Sequence, residues 1–240
     1  MDLSDPTRAI TPTLDGPVLA VLAAAGKPLT VGQVAQLAAR GSEIGIRRSL
    51  ARLVEQGIVE ARLMGRNQVH ELNREHVAAE VAIQLSGLRN RLWDKFRKDF
   101  GGWKVPPLYA SVFGSAARGD GDESSDIDLL LVHPRFAGEK PATRLSSSLM
   151  SQVNDAVGAF VTASGESDPV GVWERQVDRL RDLVVRWTGN PLQVVDLSFH
   201  EWRHPPTALK RLLVDVERDG IELVKRPTLS LWPSAEPADV

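Results

Sequence analysis

The stretch VFGSAARGDGDESSDIDLLLV, residues 112–132, decides how this chain is read. It starts as an apolar strand, turns through small residues at Gly114 and Ser115, crosses an acidic loop, and enters a second apolar run carrying Asp126 and Asp128. Side chains alternate along a strand, so these two aspartates project to one side, about 7 Å apart. So close together they repel and raise one another's pKa, and burying such charge is costly unless something neutralises it. A divalent cation does so, and hard carboxylate oxygens suit magnesium or manganese. Upstream, Gly114 permits close approach of the backbone. The amides of the SAARG turn suit a phosphate, while Ser115 adds a hydroxyl donor and Arg118 a fixed positive charge. The stretch thus offers a phosphate cradle followed by a metal pair.

The whole chain, 240 residues with 42% apolar and 25% charged content, is ordinary for a globular protein. It is long enough for one large domain or two small ones. A net charge of -2 gives no global reason to attract nucleic acid, which leaves only local patches. The absence of cysteine excludes disulfides and thiolate metal sites and fits a reducing compartment. MDLSDPTRAI lacks the basic-then-apolar pattern of a signal peptide. No run approaches the roughly 18 apolar residues of a membrane span. A soluble, cytoplasmic protein with no membrane partner is expected.

Residues 1 to about 14 are short and polar and are expected to be loosely ordered. Three helical segments follow: DGPVLAVLAAAGKPL, ended by Gly26 and Pro28; TVGQVAQLAARG, capped by Thr30; and SEIGIRRSLARLVEQG, opened by Ser42 and closed by Gly57. In the third, Ile46, Leu50, Leu53 and Val54 share a buried face, which sets Arg47, Arg48 and Arg52 largely outward. IVEARLMGRNQVHEL reads as a hairpin turning at Gly65, Arg66 and Asn67. Three helices and a hairpin in this order resemble the winged helix-turn-helix of bacterial regulators. That resemblance implies a DNA face carrying Arg47, Arg48 and Arg52, with Arg66 at the wing tip.

A long helix is expected from Glu75 to about Phe100, with Val77, Val81, Leu85, Leu88, Leu92 and Phe96 along one face. GGWKVPP at 101–107 then breaks the chain. Beyond it the pattern is strand, strand, helix (TRLSSSLMSQVNDAVGAFV), helix (WERQVDRLRDLVVRWTG), strand (PLQVVDLSF), helix (TALKRLLVDVERDG) and a last strand, IELVKR. Trp173 and Trp187 are expected in the core. The proline-rich residues 226–240 are expected to be disordered.

Gly-Ser, ten residues, then Asp-x-Asp resembles the DNA polymerase beta-like nucleotidyltransferase superfamily, in the form of its minimal bacterial members. The resemblance implies a third carboxylate on a later strand, and Asp196 in LQVVDLSF stands in the matching context. It further implies two Mg2+ or Mn2+ ions held by Asp126, Asp128 and Asp196, with a nucleoside triphosphate held by Gly114, Ser115 and Arg118. Asp196 would also help activate the acceptor hydroxyl.

The expected fold class is α+β. It comprises a winged helix-turn-helix at 15–72, a connecting helix at 73–104, and a nucleotidyltransferase domain with a mixed sheet flanked by helices at 105–225. The expected activity is EC 2.7.7-type transfer of a nucleoside monophosphate to a protein or RNA acceptor, in a toxin–antitoxin or defence setting. DNA is expected at the winged helix and a second copy at the 75–100 helix. The alternative is a DNA-binding regulator whose transferase fold senses nucleotide without turnover.

Two further motifs are set aside. HEWRH at 200–204 matches a zinc-protease pattern, but Pro205 and Pro206 disfavour helical geometry at His204, so the histidines read as loop residues near the site mouth. DGDESSDID lacks the sixth-position glycine of a calcium loop.

Overall fold

The computed structural model describes residues 1–134, 136 and 168–225. Among them, two compact units form: Met1–Trp93 with Gly121–Ser124, and Asp94–Asp120 with the described residues from Ser125 onward. The helix expected at TRLSSSLMSQVNDAVGAFV and the expected tail at 226–240 lie outside the described residues.

The first unit is built on α1 (Asp15–Ala24), β1 (Leu29–Thr30), α2 (Val31–Leu37), α3 (Glu43–Glu55), β2 (Val59–Met64), β3 (Asn67–Leu72) and α4 (Ala79–Ser86). Local chemistry sets the boundaries. Thr30 and Gln33 form a reciprocal capping box on α2, and the Ser42 side chain accepts from the Gly45 amide to open α3. Gly65, at φ +63, makes the turn between β2 and β3. The strands form an antiparallel sheet in the order β1-β3-β2. Ile46, Leu50 and Leu53 of α3 pack with Val18 and Leu22 of α1 and Val34 of α2. Complete burial of each such side chain contributes about 1.5–3 kcal/mol.

Two expectations are corrected in this region. The first residues are firmly placed rather than loose. Leu3 is fully buried, and the Asp2 carboxylate accepts from the Ser4 amide and hydroxyl and from the Asp5 amide. Asp5 accepts from Arg40 Nε at 2.6 Å, and the Ser4 amide donates to the Gly121 carbonyl. Buried polar groups with partners on all sides tie this segment down. The 75–100 helix is two helices, α4 and then α5 (Leu88–Gly101), with the break at Gly87. There the Ser86 hydroxyl donates to the Ile83 carbonyl, and serine and glycine both weaken a helix interior. The single apolar face is therefore lost. Leu85, Leu92 and Phe96 are buried, whereas Val77 is 96% and Val81 59% exposed.

The second unit holds the rest of α5, then β4 (Tyr109–Phe113), α6 (Gly114–Arg118), β5 (Ile127–His133), α7 (Pro169–Thr188), β6 (Leu192–Ser198), α8 (Phe199–Arg203), α9 (Thr207–Asp219) and β7 (Ile221–Lys225). Its mixed sheet runs β6-β5-β4-β7. β5 and β6 are parallel, and β4 is antiparallel to both β5 and β7. Leu129 through Val132 are all fully buried, so helices cover both faces of β5, as its unbroken apolar run requires. On one face Leu130, Val132 and Leu197 meet Phe199 and Trp202 of α8 and Leu213 and Val216 of α9. On the other, Trp173 of α7 stacks edge-on against Trp103, and Trp187 meets the edge of Phe96. Trp173 is buried as expected, while Trp187 is half-buried beneath Lys95. Among the described residues no helix is long and apolar enough to cross a membrane.

Candidate active site

Strand β4 ends at Phe113, and the chain turns directly into α6 through Gly114, which sits at φ +69. That left-handed backbone favours glycine, which has no Cβ to clash. The position is also cramped, because a Cβ there would lie 2.3 Å from Asp128 Oδ2. Antiparallel pairing sets Phe113 opposite Asp128, which is how the turn and the carboxylate come to share one place. The helical turn brings Ser115 beside Gly114, and its first amides have no acceptor to meet within the helix. The turn closes at Gly119, φ +75, where the Gly119 and Asp120 amides both donate to the Ser115 carbonyl.

Asp126 lies just before β5, which begins at Ile127, one residue later than expected. Three contacts fix its backbone and side chain against the start of β6. Asn190, fully buried, donates from Nδ2 to the Ser125 carbonyl at 2.9 Å, and the Ile127 amide donates to the Pro191 carbonyl at 2.9 Å. Gln193 Nε2 donates to Asp126 Oδ2 at 3.3 Å. Both aspartates are half-buried. Burial first, and then the Asp126 charge, push the Asp128 carboxyl above its ordinary range, with Arg118 partly offsetting them. This is the conflict foreseen for paired carboxylates, and a bound cation would relieve it. The donor set, two carboxylates flanking Ile127 with glycine backbone against one of them, fits a hard divalent ion.

Arg118 does not extend freely from this turn. Its Nε donates to Asp120 Oδ2 at 3.0 Å, with Nη2 at 3.5 Å from Oδ1. Its charge acts on both Asp128 and Asp219.

Asp196 is not brought to the pair. In β6 it registers with Leu131, whereas Asp128 registers with Gln193. Paired residues share a sheet face and neighbours alternate, so Asp196 belongs to the face of Ile127, Leu129 and Leu131. There its Oδ2 accepts from Trp173 Nε1 at 2.7 Å. Among the described residues no three His, Cys, Asp or Glu side chains are grouped to hold a metal. Parity within an apolar strand is legible in sequence, but its register against a neighbour is set only by the fold.

HEWRH is also displaced from its expected place. Residues 199–203 form α8, because Ser198 and Glu201 make a capping box, and the His200 and His204 rings lie 5.1 Å apart. They follow the end of β6, while Asp126 sits beside its beginning, about 20 Å away along seven strand residues. They do not line the mouth of the aspartate site.

In the first unit the four expected DNA-facing arginines divide. Arg47 pairs with Glu43 at 3.0 Å, and Arg52 pairs with Asp15, which also accepts from Ser49 and Thr13. Arg48 on α3 and Arg66 at the hairpin turn are exposed.

A nucleotidyltransferase-domain family model matches residues 90–186. No curated protein matches the chain significantly. The matched region contains Gly114, Ser115, Arg118, Asp126 and Asp128 and ends before Asp196. It supports the nucleotidyltransferase superfamily, and nucleotidyl transfer in general terms, for this part of the chain. Asn190 and Gln193 belong to none of the sequence motifs. The GNP at 189–191 after a helix was the one available signal, since a left-handed glycine at φ +79 ends α7 there.

Proposed function

We propose that the protein is a metal-dependent nucleotidyltransferase that moves a nucleoside monophosphate from a nucleoside triphosphate to a protein or RNA acceptor. The observation that carries this reading is the meeting of Gly114 with Asp128, beside Asp126, at the end of β4 and the start of β5. Asp126 and Asp128 would hold Mg2+ or Mn2+, which supplies charge neutralisation at the transferring phosphoryl group. Gly114 lets the backbone come close to a phosphate chain, and Ser115 supplies a hydroxyl donor. Arg118, already oriented by Asp120, brings positive charge to the same turn. The toxin–antitoxin or defence setting belongs to this proposal through resemblance alone.

The helix, strand, helix, helix, hairpin order of the first unit supports a winged helix, with Arg48 and Arg66 as its DNA contacts. Duplex binding would then fall with salt, and R48A and R66A would each weaken it. Binding unchanged in both variants counts against a DNA role.

A second reading, nucleotide sensing without turnover, is favoured by one observation: Asp196 bonds Trp173 on the opposite sheet face. One experiment separates the two. The protein is incubated with each α-labelled nucleoside triphosphate, Mn2+ or Mg2+, and a panel of protein and RNA acceptors, beside a D126A/D128A variant. Transfer that disappears in the variant supports the enzyme. Triphosphate binding without aspartate-dependent transfer supports the sensor.

A further inference from the structure

The sheet face that carries Asp128 continues onto β6 as Gln193, Val195 and Leu197. Leu197 is buried and Val195 half-buried against α8 and α9, which leaves Gln193 as the polar member of that row. Gln193 is exposed, so the core does not demand it, yet its amide reaches Asp126 Oδ2 at 3.3 Å. Its strand position is registered directly opposite Asp128. One side chain therefore stands across from one aspartate and bonds the other. Asn190 and Pro191, immediately before it, fix the backbone around Asp126, so this end of β6 is anchored to the pair by three separate contacts.

We infer that Gln193 is a positioning residue for the cation that Asp126 and Asp128 would hold, occupying as a neutral amide the strand position from which a third carboxylate would reach the pair. This rests on the metal-binding reading of the two aspartates. The N–H bond to Asp126 Oδ2 restrains that carboxylate's rotation, and a restrained ligand loses less freedom when a cation binds. A neutral third group keeps the local charge to that of two carboxylates, which Arg118 partly balances. Replacing the amide by a carboxylate adds a hard oxygen and a further negative charge on the same face, and cation affinity rises with ligand charge.

The test is Mn2+ binding without nucleotide, read by the electron paramagnetic resonance signal of free Mn2+. It is run on the full chain, Q193A, Q193E and D126A/D128A, each first checked for an unchanged melting temperature. Q193A is expected to weaken binding about tenfold, and Q193E to tighten it about tenfold. Both variants within about twofold of the unsubstituted protein, in a protein whose binding vanishes in D126A/D128A, would overturn the role of Gln193 and leave the aspartate site standing. No saturable binding in the unsubstituted protein, or binding that survives D126A/D128A, would overturn the metal site and this inference with it.

Discussion

Replacing Gly114 by alanine perturbs the proposed site with a single methyl group, and the structure separates its two costs. At φ +69 an L-residue is strained by about 1–2 kcal/mol. The new Cβ would also stand 2.3 Å from Asp128 Oδ2 and 3.3 Å from its Cγ. The backbone of β5 has little room to yield, because Ile127 and Leu129 on either side of Asp128 are fully buried. The carboxylate must therefore rotate away by an ångström or so, a misplacement that costs about 10²-fold where geometry is catalytic. Gly65 provides the control. It has nearly the same backbone, φ +63, with nothing within 4 Å of its Cβ position. Both G114A and G65A should lower the melting temperature of the unit they occupy by about 2–8 °C. Only G114A should lose Mn2+ affinity and label transfer, by about 10²-fold. Normal Mn2+ binding and transfer in G114A, or equal losses in G65A, would refute the argument that Gly114 exists to admit Asp128.

Other expectations follow from the same contacts. W173F removes the bond to Asp196 and should cost about 1 kcal/mol in urea unfolding. D196N should leave Mn2+ affinity within about twofold, and a loss of tenfold or more, on the scale of a broken ligand shell, would mean that Asp196 reaches the pair after all. R40A leaves Asp5, only 3% exposed, without the guanidinium that donates to it, and about 3 kcal/mol should be lost from the first unit in denaturant titration; a loss below about 0.5 kcal/mol, typical of an inert surface change, would contradict that account. Burial pushes the Asp15 carboxyl up, but bonds from Ser49, Thr13 and Arg52, with the charge of Arg52, bring it below its ordinary value. A depressed folded pKa stabilises the fold above the unfolded value, near 3.9, and that stabilisation is lost as pH falls through the folded value. The stability advantage of the unsubstituted protein over D15N should therefore shrink below about pH 4; a gap that widened on acidification would reverse the sign.

What could be read in the chain follows the range of the interactions. Gly114, Ser115, Asp126 and Asp128 lie within fifteen residues of one another, and the strand, turn and strand that present them are specified locally. Capping at Thr30 and Ser42 and the buried stripe of α3 were equally local. The face of Asp196 is not legible in the sequence because it depends on how β6 slides against β5, and one residue of register reverses every side chain. Its partner, Trp173, sits 23 positions earlier, on helix α7 rather than on a neighbouring strand. The ordered start of the chain was hidden for a similar reason. Its polar residues look like a tail until Arg40 and the Gly121 carbonyl are set beside Asp5 and Ser4. In α4 and α5, apolar spacing suggested one helix, and the two weak helix formers at 86 and 87 outweighed it.

Crystals grown with Mn2+ and a non-hydrolysable triphosphate would test the central claim most directly, through the anomalous signal of the metal. The account predicts Mn2+ between Asp126 and Asp128, with the phosphates against the Gly114 turn and Asp196 still bonded to Trp173. Mn2+ on Asp196, or no metal at the aspartate pair while the triphosphate is bound, would contradict it.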